Sequence, residues 1–285
     1  MRRVTMASVF GFCKGVENSV ALAEKLIAEH PGEKLYTTGD LIHNRAVVED
    51  LRARGVESIS GPEGHEKGIA LVRAHGITPD EYRRYKEAGF GIVDGTCRLV
   101  RRNQRLIAES KKPTLFIGKE GHPETISTMA HSTMPCMLIS SVSDLDRLSK
   151  EVGYNAVIQT TASQELVSAV KEEIVRQGFN VSFLTDVCNS SARRREAVRK
   201  LCTSCDTIVV VGDVHSANSQ ALRALAEKEG RRAFLIQDVS DITPEILESD
   251  NIGLTAGASV PMNVIKNVRR FLKYGENSGT ADTDG

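Results

Sequence analysis

Three cysteines stand where a thiol could do chemistry. Cys13 lies in Thr5 to Val16 (TMASVFGFCKGV), Cys97 in Phe90 to Val100 (FGIVDGTCRLV) and Cys188 in Asn180 to Ser191 (NVSFLTDVCNSS). Each follows a strand-like apolar run and precedes a helical pattern, and they are 84 and 91 residues apart. They read as one position in three similar units. Brought together, such a set could bind zinc, hold an iron-sulfur cluster, or merely pack. The local C-x2-C pairs that build most structural zinc sites do not flank them. Three thiolates from three units suit a [4Fe-4S] cubane with one iron left without a protein ligand, because closed electron-transfer clusters take four cysteines. An open iron can bind a substrate, and helix starts behind the cysteines suit an anionic sulfur.

The remaining cysteines read differently. Cys202-Thr-Ser-Cys205 has the spacing of a redox pair. Yet Val198, Leu201, Cys202 and Cys205 fall at i, i+3, i+4 and i+7, the buried stripe of one helix. Core packing is therefore expected, free cysteine behaving as a small hydrophobe. Cys136, in an apolar strand, gets the same reading.

Other loops keep the same step. Past each cysteine a strand signal ends at a glycine and a histidine-bearing polar loop: Gly39-Asp-Leu-Ile-His43-Asn44, Gly118-Lys-Glu-Gly-His122-Pro-Glu124, and Gly212-Asp-Val-His215-Ser216-Ala217-Asn218. Further on come Arg73-Ala-His75-Gly76, Gln159-Thr160-Thr161-Ala-Ser163 and Thr255-Ala-Gly257-Ala-Ser259. A repeat of about 90 residues exceeds any solenoid unit, so three small domains are expected. Their bounds are 14–97, 98–188, and 189–274 together with 1–13, followed by a small polar tail, 275–285, expected to be disordered.

The elements that must position these loops follow from periodicity. Helices are expected at about 14–30, before Gly55, from the Thr78-Pro79-Asp80 cap to near Gly89, to about Ser110, to about Cys205, and at 262–274. Short strands are expected at 34–37, 56–59, 69–72, 114–117, 136–139, 156–158, 207–211, 233–236 and 252–254. Strands alternating with helices imply parallel sheets, which bind ligands beyond the carboxyl ends of their strands.

Composition excludes some classes. The 285 residues carry 37 Lys and Arg against 37 Asp and Glu, so no overall field points to nucleic acid or an acidic membrane. The run Arg193-Arg194-Arg195 sits on a helix and reads first as a solvated face, with anion attraction near Cys188 as the alternative. No apolar run reaches the ~20 residues of a membrane span. The N-terminal apolar stretch, broken at Lys14 and Glu17, reads as a core strand rather than a signal. A soluble, cytoplasmic protein is the expectation.

Together, Gly11-Phe12-Cys13-x-Gly15-Val16, Ile42-His43-Asn44-x-x-Val47-Val48, Arg73-Ala74-His75-Gly76, Asp94-x-Thr96-Cys97, Gly121-His122-Pro123-Glu124, Gln159-Thr160-Thr161, Cys188 and Thr255-Ala-Gly-Ala-Ser259 resemble the 4-hydroxy-3-methylbut-2-enyl diphosphate reductase (IspH or LytB) family, over nearly the whole chain. The resemblance implies a trefoil of three pseudo-symmetric α/β domains around a central cluster on Cys13, Cys97 and Cys188. It implies two-electron reductive dehydration of an allylic diphosphate to isopentenyl and dimethylallyl diphosphate, the last step of the non-mevalonate pathway, with ferredoxin or flavodoxin as electron donor. Glu124 becomes the proton source, with Thr160 in its relay. His43, His75, Ser216, Asn218 and Ser259 match the diphosphate pocket, His122 the substrate-contacting histidine, and Ser191 is a further pocket candidate. His30, His65 and His131 lie outside the motifs and read as surface or loop residues.

The chain departs from the family where it has Gly95 for alanine, Arg98 for proline, His215 for asparagine, Ala217 for a serine, and Asp213-Val214 for a small residue and a lysine. Either the substrate differs, or Arg98 and His215 compensate by offering positive charge. The rival readings are a paralogue acting on another small unsaturated or hydroxylated substrate, a non-catalytic cluster-based redox sensor, and a zinc hydrolase.

Overall fold

The computed structural model describes residues 2–42, 44–214 and 216–275, without the side chains of residues 45, 46 and 217. The expectations for His43, His215 and the tail from 276 onward lie outside the described residues.

In chain order the elements are β1 (Arg3–Met6), α1 (Lys14–Glu29), β2 (Leu35–Thr38), α2 (Arg45–Ala53), β3 (Val56–Ile59), β4 (Ile69–Val72), α3 (Pro79–Glu87) and β5 (Gly91–Asp94). Then follow α4 (Arg98–Ala108), β6 (Thr114–Ile117), α5 (Pro123–Met129), β7 (Cys136–Ile139), β8 (Tyr154–Ile158), α6 (Gln164–Gln177) and β9 (Val181–Phe183). The last stretch holds α7 (Asn189–Cys202), β10 (Thr207–Val211), α8 (Ala217–Lys228), β11 (Arg232–Ile236), α9 (Pro244–Leu247), β12 (Asn251–Ala256) and α10 (Met262–Tyr274).

The strands form three four-stranded sheets, ordered β3-β2-β4-β5, β7-β6-β8-β9 and β11-β10-β12-β1. Every pairing is parallel. The three orders are one order repeated: the strand leading to a cysteine is always at the edge, beside the strand that ends in the third polar loop. In the last sheet the N-terminus supplies that edge, Arg3 to Met6 aligning with Asn251 to Leu254. The apolar segment before Cys13 thus begins with a sheet strand.

Two compact units result, one from residues 1–16, 43–47 and 189–285, the other from 17–42 and 48–188. In the first, β10 reads TIVVV and is buried along its length, as parallel strands covered on both faces are. Val209 and Val211 meet Ile265, Val268 and Leu272 of α10, while Ile208 and Val210 meet Ala197, Val198 and Leu201 of α7. In the second, Leu115 and Ile117 of β6 pack with Val167, Val170 and Ile174 of α6, and Phe116 on the opposite face packs with Ile107 of α4. Burying each such side chain stabilises by about 1.5–3 kcal/mol.

Caps fix where the helices begin. Thr78 and Glu81 form the capping box of α3. Ser163 caps α6, which ends at Gly178 in the left-handed region. Helices α5 and α8 open inside the polar motifs, with Pro123-Glu124 and Ala217-Asn218 in their first turns. Their starts are therefore concealed by the residues that announce the site.

Candidate active site

Each of the three repeat cysteines hangs from its sheet by the same bond. Cys97 N–H donates to Ala74 O (2.9 Å), Cys188 N–H to Thr160 O (2.8 Å) and Cys13 N–H to Ala258 O (3.1 Å). Each acceptor lies in the loop that follows the strand next to the edge. Cys97 is the N-cap of α4, and Val16 N–H, in the first turn of α1, approaches Cys13 Sγ at 3.5 Å. All three are half-buried, and no cysteine forms a disulfide among the described residues.

The other cysteines pack against apolar groups, Cys136 half-buried against the cluster of Ile107, Phe116 and Val157. Cys202 and Cys205 are buried in the layer between α7 and its sheet, as the helical stripe predicted. The helix stops at Cys202, however, so Cys205 reaches the core from the following turn, its N–H bonded to Leu201 O. Burial pushes the Cys136 thiol up to about 11 and also raises that of Cys202. Thiols packed among apolar groups are poor metal ligands, whereas three equivalent thiols, each between a strand and a helix, fit an iron-sulfur cluster as a donor set. Among the described residues no three His, Cys, Asp or Glu side chains gather at a common metal-binding point. The fit rests on the equivalence of the three positions.

Gly95 has a local reason. A Cβ there would collide with Val72 O and press on Leu71 Cδ1 at 3.1 Å, because the Cys97 loop runs against the end of β4. Arg98 is exposed at the start of α4.

The acid sits in the second unit. Pro123 starts α5 and His122 caps it, Nδ1 accepting from Glu124 N–H at 3.1 Å. That bond leaves Nε2 to carry the ring proton. Glu124 is only 1% exposed. Thr160 grips both carboxyl oxygens, its N–H donating to Oε1 and its Oγ1–H to Oε2, each at 2.7 Å. Burial raises the carboxyl to about 7, while the two bonds from Thr160 pull the other way. A carboxyl poised near neutrality, beside the loop that suspends Cys188, is equipped to give a proton.

His75 joins this group. Its ring stands edge-on to that of His122, centroids 5.3 Å apart. The buried Ser127 hydroxyl, on the same helix as Glu124, donates to His75 O at 2.6 Å and accepts from Gln104 Nε2 at 3.5 Å. Sequence reasoning missed Ser127 and Gln104, whose only signal is polarity on otherwise buried helix faces. Outside the motifs, His30 and His65 pair with Glu33 and Glu57, and His131 Nδ1 meets Ser127 O.

The first unit carries a polar group of its own. Ser216 caps α8, Oγ accepting from Ser219 N–H at 3.4 Å. Asn218 Nδ2 is buried and has no hydrogen-bond partner among the described residues. An amide donor left open in a buried position costs about 1–3 kcal/mol unless something accepts from it. Ser259 is buried and Ser191 half-buried in the first turn of α7. The Arg193-Arg194-Arg195 run is not a uniform solvated face, since Arg194 points inward and is 1% exposed.

Three parallel sheets of one order, three equivalent cysteines and a buried acid define a class. The family model for LytB protein matches residues 4–273, and the chain belongs to that family. Its relatives include the 4-hydroxy-3-methylbut-2-enyl diphosphate reductases of Neorickettsia sennetsu, 31% identical over 95% of this chain and 91% of the relative, and of Methylococcus capsulatus, 33% identical over 99% and 94%. Among solved structures, the E-1-hydroxy-2-methyl-but-2-enyl-4-diphosphate reductase of Plasmodium falciparum superposes with a TM-score of 0.80 at 25% identity, covering 93% of this chain and 86% of that one. A second, described as (E)-4-hydroxy-3-methyl-but-2-enyl diphosphate reductase, the terminal enzyme of the non-mevalonate pathway, gives 0.79 at 27% identity, covering 96% and 99%. No helix among the described residues is long and apolar enough to cross a membrane.

Proposed function

We propose that the protein is a cytoplasmic iron-sulfur reductase that converts (E)-4-hydroxy-3-methylbut-2-enyl diphosphate into isopentenyl and dimethylallyl diphosphate. The allylic diphosphate takes up two electrons and two protons and releases water. The observation that carries the reading is the buried Glu124 carboxyl, held at both oxygens by Thr160 in a LytB-family chain. Cys13, Cys97 and Cys188 would hold a [4Fe-4S] cluster with one iron free of protein ligands, which when bound supplies electrons and a Lewis acid for the hydroxyl oxygen.

This chain's own residues do the rest. Glu124, protonated up to about pH 7, gives a proton to the departing hydroxyl, and Thr160 keeps the carboxyl aimed and draws its charge once ionised. His122 Nε2–H and the ring of His75 bind the substrate beside the acid. Ser216, Asn218, Ser259, His43 and Ser191 receive the diphosphate, whose oxygens satisfy donors such as Asn218 Nδ2. Three domains, 14–97, 98–188 and 189–274 with 1–13, each supply one cysteine loop at their boundary. Ferredoxin or flavodoxin delivers the electrons.

The test is anaerobic reconstitution with iron and sulfide followed by product analysis. Wild-type protein and Cys136→Ser should take up the same iron, and Cys97→Ser should lose most of it. Equal iron in all three would refute ligation by Cys97.

A further inference from the structure

Six residues after each repeat cysteine stands a buried polar side chain. Ser19 follows Cys13, Asn103 follows Cys97 and Arg194 follows Cys188, with exposures of 0%, 3% and 1%. Two of them make the same kind of reach. Ser19 Oγ donates to Gly95 O (3.2 Å), two residues before Cys97, and Arg194 Nη2 donates to Gly11 O (2.6 Å), two residues before Cys13. Asn103 Nδ2 donates to Ile158 O (2.9 Å), at the end of the strand paired with β9, which leads to Cys188. Arg194 has a second hold, Nη1 donating to Ser190 Oγ at 2.6 Å, two residues after Cys188.

One buried serine would be ordinary. Three polar groups at one repeat position, all bonded to main chain at or beside a cysteine strand, are not explained by packing, which apolar residues serve at lower desolvation cost. Arginine burial is the most expensive of the three. Its planar fork can bond two segments at once, which a lysine ammonium cannot match in geometry.

We propose that this sixth position is a positioning site for the cysteines, with Arg194 the principal latch, tying the segment before Cys13 to the helix start behind Cys188. The inference rests on the reading that the cysteines hold a cluster. The latches fix the backbone on which the thiolates are mounted, so their loss loosens the cluster rather than the proton transfer.

The experiment is anaerobic reconstitution of wild type, Arg194→Lys, Ser19→Ala and the exposed-neighbour control Arg193→Ala. Three quantities are read: the rate of iron loss to a chelator, the low-temperature EPR line shape of the reduced protein, and the melting temperature of the iron-free chain. Arg194→Lys should lose iron at least about tenfold faster than wild type, as expected for a broken hydrogen bond from a charged group. Ser19→Ala should lose it roughly threefold faster, within the range for a neutral bond. Both should alter the EPR line shape, and Arg193→Ala should match wild type. A purely structural role would lower the melting temperature and leave iron retention and line shape unchanged; that result would overturn the proposal. If Arg194→Lys does not fold, Ser19→Ala decides in the same way. Wild-type protein that takes up no iron would overturn the reductase reading itself, an outcome distinct from failure of the latch.

Discussion

The loops after β6 and β10 occupy the same place in two copies of one sheet and carry different chemistry. Each follows a central strand, turns at a glycine whose N–H is bonded to the neighbouring strand (Gly118 to Ile139 O, Gly212 to Ile236 O), and enters a helix through a side-chain cap, His122 or Ser216. In the first, the second helical residue is Glu124, buried and gripped by Thr160. In the second, it is Asn218, half-buried, its buried Nδ2 without a hydrogen-bond partner among the described residues. The second loop is closed tightly beneath, since any side chain at Gly212 would strike Ser219 Oγ. Under the proposed function, one scaffold position serves as a proton source in one copy and as an anion cradle in the other. The fold sets where a group is presented, and the residue sets what it does.

The comparison can be broken most forcefully at Glu124. Glu124→Gln keeps the size and one acceptor but removes the acidic proton, and kcat should fall by about 10²–10⁴-fold with substrate affinity little changed. A variant as active as wild type would end the acid assignment. The same carboxyl makes a stability prediction. Its folded-state value, about 7, lies above the ordinary 4.5, so the protonated form is favoured by folding. That stability is complete below about pH 4.5 and is lost as pH rises through about 7, on the order of 3 kcal/mol in all. Denaturant titrations of the iron-free chain from pH 5 to 8 should follow this slope in wild type, and the slope should flatten in Glu124→Gln.

Asn218→Ala should act on binding instead, raising KM about tenfold with kcat changed far less, the expected loss of one hydrogen bond to a charged group. A fall in kcat alone would erase the division of labour between the loops. The smallest effect is expected at Thr160→Val. The hydroxyl bond to Oε2 is lost while the backbone bond to Oε1 remains, so the Glu124 carboxyl rises further. The alkaline limb of the kcat profile should then move to higher pH, with a loss of roughly threefold to tenfold at the optimum. A limb moving to lower pH would contradict the account of how Thr160 acts.

Much of this was legible in the sequence because repetition is a strong signal. The strands at 69–72, 114–117, 136–139 and 207–211 are dominated by apolar runs, that at 56–59 is apolar at its two ends, and the structure places all five at those bounds. Cys202 was separable from Cys13 because helical spacing marks a core stripe. Helix α6 was harder. Its buried face is Val167, Val170 and Ile174, three residues in fourteen, behind a motif that draws attention to Thr160. Arg194 was hidden in a run of three arginines, since a one-dimensional reading cannot tell which faces inward. Ser127 and Gln104 were invisible for a related reason: their role lies in holding the His75 backbone, a contact across 52 residues for Ser127. Gly95, conspicuous in the sequence as a departure beside Cys97, has its cause in the carbonyl of Val72.

The most direct measurement is anaerobic turnover of (E)-4-hydroxy-3-methylbut-2-enyl diphosphate by the iron-loaded protein with a low-potential reductant, quantifying isopentenyl and dimethylallyl diphosphate together. The account predicts both products from wild-type protein, and little of either from Glu124→Gln carrying the same iron. No product from wild-type protein with a full complement of iron would contradict it. The departures around Arg98 and Ala217 would then mark a different substrate.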